Sequence, residues 1–539
     1  MPSSPLPPLP ERTFTAVIGR HVARQPDRPA VRDPQRALSY GALYEEALSV
    51  AAGSARLEVA AGEPVLLMMD NHLDAIVAWW ALALTGRVEV PVNTAYKGSI
   101  LVHVANNSGA GVIVLDEAYL PVLAEVAAQL PRLAHVVVRG EVGPALRKAL
   151  PAGLRVHPWA GLAGPRVRPA ELQPWDLMGI MYTSGTTGPS KGVRVTQAHA
   201  YGYAAPAVLG RALPEDVSLV TLPLFHIGGQ WAGVYNSLIA GGASVVLPRF
   251  SATTYWDDVR HYGCTYTLLL GAMANFLVQQ PPREDDARHP MRQLLMVPVV
   301  PQLEAFQARF GIETVATAYG LTEGSTALIA PQGRARPGAV GVPRPDFDVR
   351  LVDEHDMPVP RGRVGELLIR PHEPWSVMDG YHDMPEATVS AWRNQWLHTG
   401  DAFRIDEDGQ YVFVDRMKDA MRRRGENVSS FEVEREIMEH PAVLEAAVVG
   451  VPSDATEDDI LACVALRPGQ SVTADALLDF LEARLPYFMV PRYVDFLPEL
   501  PKTPTAKIRK QALRERGVTA TCHDRPPRTG RRSSIGGHK

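Results

Sequence analysis

The stretch Tyr182-Thr183-Ser184-Gly185-Thr186-Thr187-Gly188-Pro189-Ser190-Lys191-Gly192 follows an apolar run, Leu177 to Met181, that reads as a buried strand. It has the features of a loop that holds phosphate. Hydroxyl side chains offer donors, Gly185 and Gly188 let the backbone approach an oxyanion, and Lys191 adds a positive charge at the far end. A Ser/Thr/Gly surface loop shares this composition. The order of strand, hydroxyl-rich turn with paired glycines, then lysine favours a nucleotide. A Walker pattern is excluded, because Lys191 is followed by Gly192 and is not preceded by glycine.

On the N-terminal side of this loop, short apolar runs alternate with helix-like segments. Val65 to Met69, Val88 to Val92, Gly111 to Leu115 and His135 to Val138 read as strands, and Leu73 to Thr85 as a helix that is apolar almost all round and stops at Gly86. Its Trp79 and Trp80 are expected in the core. On the C-terminal side the alternation resumes with strands at Leu219 to Leu222, Ala243 to Leu247, Tyr266 to Leu270 and Leu294 to Val297. Two α/β sheets are implied. A further strand, Glu313 to Ala318, leads into Tyr319-Gly320-Leu321-Thr322-Glu323, polar groups at a strand end where open α/β sheets bind ligands.

From Phe347 the pattern becomes hairpin-like, with Asp408-Gly409 between Phe403 to Ile405 and Tyr411 to Val414. The run Asp406-Glu407-Asp408-Gly409 invites a calcium reading, but it lacks the ligand spacing and closing glutamate of an EF-hand loop and reads as a turn. Beyond Arg416 a compact α+β unit follows. Ser429 and Glu432 form a capping box, strands run near Ala446 to Val451 and Leu461 to Leu466, a helix spans Ala474 to Leu485, and a last strand lies near Arg492 to Phe496.

Composition bounds the function. The chain has 539 residues, 46% hydrophobic and 21% charged, enough for several folding units. A net charge of -5 gives no global argument for nucleic acid or an anionic membrane surface. Cys264, Cys463 and Cys522 have no metal or redox spacing, which points to a reducing compartment, with cytoplasm the default. Met1 to Pro10 does not resemble a secretory signal, and Ala75 to Leu84 is too short to span a bilayer, so no membrane insertion is expected. Residues 1–12 and 521–539 are expected to be disordered, the latter a basic tail among Gly, Ser and Pro.

Five segments occur in one order: the loop above, Tyr319 to Glu323, His398-Thr399-Gly400-Asp401, Asp415 to Val428, and Pro501-Lys502-Thr503-Pro504-Thr505-Ala506-Lys507. Together they resemble the adenylate-forming superfamily, which includes acyl-CoA ligases, peptide-synthetase adenylation domains and firefly-type luciferases. The resemblance runs from Leu38-Ser39-Tyr40 to Leu513. It implies an α/β fold: a large AMP-binding domain, residues 13–416, of two layered α/β sheets plus a β-barrel-like subdomain, and a small mobile α+β domain, residues 417–520. It also implies a reaction in which a carboxylate attacks the α-phosphate of ATP, giving acyl-adenylate and pyrophosphate, after which a thiol displaces AMP. Charge gathers on phosphate oxygens in the first step, which calls for preorganised donors and a divalent ion.

By that resemblance, Thr183, Ser184, Gly185, Thr186, Thr187, Gly188 and Lys191 line the loop over the β- and γ-phosphates. Thr322 meets the α-phosphate, Glu323 coordinates Mg²⁺, Tyr319 stacks on adenine with Gly320 beside it among the ATP-binding residues, and Asp401 and Arg416 hold the ribose. Lys507 bridges carboxylate and α-phosphate during adenylation. Read without its motif, it would be a solvated lysine in a basic run with Lys502, Arg509 and Lys510. Lys418 is the expected hinge between half-reactions, and Gly425 allows close approach of the pantetheine arm of CoA. A homodimer is the expected assembly.

Two features bear on the acid. Family members carry a Gly/Ala-rich turn before the Tyr-Gly-x-Thr-Glu motif; this chain has Met296-Val297-Pro298-Val299-Val300-Pro301, which suggests a reshaped acyl pocket involving Val297 and Val299. Peptide-synthetase domains commonly place an aspartate after the phenylalanine of a Phe-Asp pair; here Phe225 is followed by His226, which resembles the gating aromatic of acyl- and aryl-CoA ligases and cannot pair with an α-ammonium group. The pocket set is then His226, Gly228, Gly229, Trp231, Val297 and Val299. Phe413-Val414-Asp415-Arg416 with Arg424 to Ser429 looks closest to the crotonobetaine/carnitine-CoA ligase branch. A quaternary ammonium would want an aromatic cage, for which Tyr203 and Trp231 are candidates; an apolar, alicyclic or secondary-metabolite acid fits the same segments. The expected enzyme is an ATP- and Mg²⁺-dependent acyl-CoA ligase. The alternatives are a ligase loading a carrier protein in trans and a catalytically silent ligand-binding relative.

Overall fold

The structure is a computed structural model that describes residues 6–183, 190–209, 212–330, 335–417, 421–423, 426–428, 430–453, 458–485, 487, 489–503 and 507–525. Contacts divide the chain into two compact units. One takes in the residues up to Thr399 together with Arg404–Phe413, the other Gly400–Phe403 together with Val414 onward.

The first unit contains both expected α/β sheets. One is ordered Arg155–Pro158, His135–Arg139, Val112–Asp116, Pro64–Met68, Val88–Pro91, Leu177–Thr183, Lys191–Thr196. Its strands are parallel except the last, and the inner strands Pro64–Met68 and Val112–Asp116 are apolar and buried almost throughout. The Leu73–Leu84 helix is buried on every side, which explains its lack of a polar face. Trp79 and Trp80 are core residues, both packed on Phe14, with Trp80 edge-on at 5.5 Å. The second sheet is ordered Thr314–Ala316, Gln293–Val297, Tyr266–Leu270, Val217–Val220, Ala243–Val246, Pro29–Arg32, Ala37–Ser39.

One expected strand is in fact two. Thr314–Ala316 ends the second sheet, the chain turns at Thr317, and Ala318–Leu321 opens an antiparallel sheet by pairing with Ser325–Ile329. Tyr319 and Gly320 therefore stand on a strand, and Thr322 and Glu323 occupy the tight turn after it. That antiparallel sheet supplies the β-rich subdomain, with Phe347–Val352 and Gly365–Pro371 as its clearest hairpin pair. The Asp406 run is a turn. Oδ1 of Asp406 accepts from the backbone N–H of Asp408 and Gln410, and its other oxygen is held by Arg336.

The second unit folds around its own core, in which Val433, Ile437, Val448, Ile460, Leu477 and Leu481 meet. Val443–Pro452 pairs antiparallel with Asp458–Leu466, which pairs parallel with Tyr493–Phe496. Ser429 of the expected capping box lies outside the described residues. The N–H of Ser430, the first residue of the helix, donates to the Asp415 carboxylate at 2.7 Å, so a distant aspartate satisfies one donor at this helix start.

The described parts of the two segments expected to be disordered, 6–12 and 521–525, make specific contacts. Leu9–Arg12 forms a 3₁₀ turn, because the buried Arg12 guanidinium finds the Pro7 carbonyl at 2.6 Å and Glu373 at 2.6 Å. At the other end His523–Asp524 adds a strand beside Tyr493–Phe496, and Arg525 pairs with Asp479 and Glu482. Among the described residues no helix is long and apolar enough to cross a membrane.

Candidate active site

The hydroxyl-rich loop is the connection of a β-hairpin. Thr183 and Lys191 are opposite partners on the ladder, as are Tyr182 and Gly192. The loop itself, Ser184, Gly185, Thr186, Thr187, Gly188 and Pro189, lies outside the described residues. Its base is pinned: the Tyr182 hydroxyl donates to Asn107 at 2.7 Å, and His103 Nε2 donates to the Ser190 carbonyl at 2.8 Å. Gly192 has to be glycine, since a Cβ there would stand 2.8 Å from Ile180 and 3.0 Å from the Tyr182 ring.

In the same unit, Glu323 is fixed from several directions. The Thr183 hydroxyl donates to its Oε1 at 3.3 Å and the Tyr381 hydroxyl to the same oxygen at 3.0 Å, while the Glu323 carbonyl accepts from Met378 N–H at 2.9 Å. The Lys191 ammonium sits over the Tyr381 ring, 4.7 Å from its centroid. Burial, reinforced by the Glu323 charge, pushes the Tyr381 phenol well above its usual range and keeps it a donor. Tyr381 was not anticipated. It follows an Asp379-Gly380 turn and carries no periodic signal, so only the fold reveals that it joins the expected anion ligand to the expected phosphate lysine.

These residues fit Mg²⁺. Both donors to Glu323 converge on one carboxylate oxygen, and no hydrogen bond to the other is made among the described residues, leaving a hard oxygen ligand of the kind Mg²⁺ prefers. Thr322 is buried beside it in sequence at 8% exposure. Gly320 is required by close packing: a Cβ would stand 2.9 Å from the Ser325 carbonyl.

The segment after Val217–Val220 carries the acyl-pocket candidates. Asn71 staples it, donating to the carbonyls of Leu222 and Leu247 and accepting from Leu224 N–H at 2.8 Å. His226 then caps a short helix, its Nδ1 accepting from Gly228 N–H at 3.1 Å, which puts the proton of the neutral ring on Nε2. Gly229 packs so closely that a Cβ would meet the Pro223 carbonyl oxygen at 2.3 Å, while at Gly228 it would meet Leu222 at 3.2 Å. Gln230–Tyr235 continues as a π-helix.

Trp231 is buried, with edge contacts to His199 at 6.0 Å and Tyr203 at 5.5 Å. Burial lowers the His199 pKa to about 3, so this cluster is uncharged. Val297 is half-buried at the end of its strand and joined to Pro298 by a cis peptide bond. Val299 belongs to the hydrophobic core with Met273, Leu303 and Phe306, so part of the unusual turn serves packing. A second polar feature also escaped notice: Glu89 is fully buried, bonded by the Gln230 amide at 2.8 and 3.0 Å, and desolvation raises its pKa to about 8.

The second unit holds Asp401, Arg416 and Lys507. Asp401 is buried, and Arg416 Nε lies 3.6 Å from its Oδ1. Lys507 sits in a turn closed on itself: Thr503 N–H donates to the Lys507 carbonyl at 2.7 Å, and Lys507 N–H to the Thr503 hydroxyl at 3.1 Å. Desolvation depresses the Lys507 pKa although its surface stays exposed, Arg416 depresses it further, and Asp401 opposes both. Lys418 and Gly425 lie outside the described residues.

With this geometry in place, two family models match the chain: AMP-binding enzyme over residues 18–382 and AMP-binding enzyme C-terminal domain over 432–507. The crotonobetaine/carnitine-CoA ligase of Salmonella choleraesuis (strain SC-B67) is 31% identical over 493 residues, covering 89% of this chain and 93% of the relative. A benzoate CoA ligase from Burkholderia xenovorans LB400 superposes with a TM-score of 0.80 at 26% identity, covering 93% of this chain and 99% of that one. The anthranilate CoA ligase AuaEII in complex with anthranoyl-AMP has the same fold, with a TM-score of 0.83 at 24% identity over 96% and 99% of the two chains.

Proposed function

The chain belongs to the AMP-binding enzyme family, and on that premise we propose which residues carry its reaction and what class of acid it takes. It is an AMP-forming acyl-CoA ligase that uses ATP, Mg²⁺ and CoA and works through an acyl-adenylate. Our reading assigns the hydroxyl-rich loop and Lys191 to the pyrophosphate half of ATP, Thr322 to the α-phosphate, and Tyr319 to adenine. Asp401 and Arg416 hold the ribose. Lys507 aligns the attacking carboxylate with the α-phosphate, and His226 borders the acyl group. Glu323 holds Mg²⁺, which supplies positive charge against the phosphate oxygens.

The observation that carries this reading is the Glu323 cluster. Thr183, Tyr381 and Lys191 join the metal-binding carboxylate to the base of the phosphate loop, so cation and phosphate are oriented by one rigid set of contacts. In the first step a carboxylate oxygen bonds to the α-phosphorus as pyrophosphate leaves with the bridging electron pair. In the second the CoA thiolate adds to the acyl carbonyl and AMP leaves.

For the acid, we propose an uncharged apolar or aromatic acyl group. The argument is the His199–Trp231–Tyr203 cluster: an environment that drives His199 neutral charges the same desolvation cost to any fixed cation brought against Trp231. We place the enzyme in the cytoplasm on the strength of its three unpaired cysteines.

Pyrophosphate release with ATP and Mg²⁺, measured across benzoate, anthranilate, o-succinylbenzoate, cyclohexanecarboxylate, crotonobetaine and carnitine, tests the acid class. The uncharged acyl groups should lead, and a preference for the two quaternary ammonium acids would overturn it. Mass analysis after adding CoA or a phosphopantetheinylated carrier tests the acceptor, and transfer to the carrier alone would refute the CoA assignment.

A further inference from the structure

The two lysines that flank Lys507 in sequence are both ion-paired and only partly exposed. Lys502 pairs with Glu445 at 2.7 Å, and Lys510 pairs with Glu434 at 2.8 Å and donates to the Ser430 hydroxyl at 2.5 Å. The Lys510 bonds reach further. Ser430, wholly buried, gives both its N–H and its hydroxyl to Asp415 Oδ2, at 2.7 and 2.5 Å, and Asp415 Oδ1 accepts from the N–H of Arg416 at 2.7 Å. Glu434 in turn accepts from Val448 N–H at 2.7 Å, anchoring the group to the edge strand Val443–Pro452. A continuous path of hydrogen bonds therefore runs from the backbone of Arg416 to the residue three places after Lys507.

From this geometry we infer that Lys510 is a positioning residue for adenylation: through Ser430 and Asp415 it fixes the turn bearing Lys507 relative to Arg416. The inference rests on the assignment of Lys507 above. Arg509 N–H bonds the Pro501 carbonyl at 2.8 Å, so the described residues on either side of Lys507 are tied together and each flank carries an ion pair. Without Lys510 the backbone at Lys507 keeps its ties through Lys502 and the Ile508 packing, but loses its link to Ser430 and Asp415. A preorganised group displaced by a fraction of its working distance loses rate while substrate affinity holds, because the lysine acts only as charge develops.

The test uses the full chain. Competitive acetylation with acetic anhydride, followed by mass spectrometry, titrates each lysine separately with no substrate present. In Lys510→Met, Lys507 should titrate at higher pH than in the parent as it leaves the desolvated position beside Arg416, and Lys502 should be unmoved. Lys510→Arg should restore the parent curve. With the best acid of the panel, Lys510→Met should lower the kcat of pyrophosphate release about 10-fold, with ATP KM within about twofold, and leave thioester formation from supplied acyl-AMP unchanged.

If Lys510→Met does not fold, the double variant Lys510→Met/Glu434→Met removes the ion pair as a unit, so Glu434 is not left buried without its lysine. A folded variant in which Lys507 titrates as in the parent, or in which both half-reactions fall together, overturns the inference. Lys507→Ala is the separate control. If it retains pyrophosphate release, the assignment of Lys507 itself fails, whatever Lys510 does.

Discussion

Tyr381 donates its hydroxyl to the Glu323 carboxylate at 3.0 Å while its ring carries the Lys191 ammonium. One side chain thus holds an anion at its edge and a cation on its face, and sets their separation. Removing the hydroxyl in Tyr381→Phe deletes a hydrogen bond to a charged group but keeps the ring. Half-saturation for Mg²⁺ and ATP should rise about 10-fold, matching about 1.4 kcal/mol, with a smaller change in the KM of the acid. Tyr381→Leu should lose the Lys191 contact as well and weaken ATP further. Initial-rate titrations of both ligands measure this; an unchanged Mg²⁺ dependence would sink it.

Gly229 stands against two carbonyls. A Cβ would lie 2.3 Å from the Pro223 oxygen and 2.5 Å from that of Leu222, and backbone cannot yield as a side-chain tip can. Gly229→Ala should destabilise the fold by about 1 to 3 kcal/mol, and a denaturant midpoint would show it. It should also displace His226, whose carbonyl accepts from Gly229 N–H, so acid selectivity should broaden. Unaltered stability would contradict the close packing.

Glu89 makes stability depend on pH in a known direction. Its carboxyl has a pKa near 8 in the fold against 4.5 in the free group, so between those values the folded chain keeps a proton that the unfolded chain has released. Stability from this group therefore falls as pH rises through that window and levels off above it. Glu89→Gln does not titrate. Its stability relative to the parent should grow by about 1.4 kcal/mol per pH unit between pH 5 and 8. Thermal melts of the two proteins across that range should diverge, and parallel curves would show that Glu89 ionises normally.

Asp406 offers calcium nothing. Its oxygens are engaged by backbone N–H groups and Arg336, and Arg361 takes the carbonyls of Asp406 and Glu407. Calcium or a chelator added to the ligand-free protein should leave its melting temperature unchanged. Asp406→Ala should lower it by loosening the hairpin.

The parts of the fold legible in sequence are those written as apolar runs. Tyr266–Leu270 appears with the expected bounds, and the all-apolar helix with Trp79 and Trp80 is core because its composition leaves it nowhere else to go. The expected strand Glu313 to Ala318 divides at Thr317, because nothing in its sequence marks the switch between sheets, a step set by tertiary packing. In the site, glycine- and hydroxyl-rich motifs announce themselves by spacing. Tyr381 and Lys510 do not. One is a lone aromatic after a turn, the other a lysine in a basic run, and only the partners supplied by distant segments, Glu323 for one and Glu434 with Ser430 for the other, distinguish them from surface residues.

Thr183 and Lys191 face each other on one rung of an antiparallel ladder. The loop between them is consequently a cassette: both of its ends are set by the rung, so residues can be exchanged or inserted within it while the sheet is left as it was. The same change made one residue outside the rung is of another kind. A strand has a side-chain period of two, so a single deletion between Gly192 and Thr196 would put its two sides out of phase, and Lys191 would keep its place on Tyr381 only if the residues beyond reversed their faces. Changes aimed at the phosphates therefore have a natural boundary at that rung: inside it the phase of the sheet is not at stake, and outside it the phase is fixed.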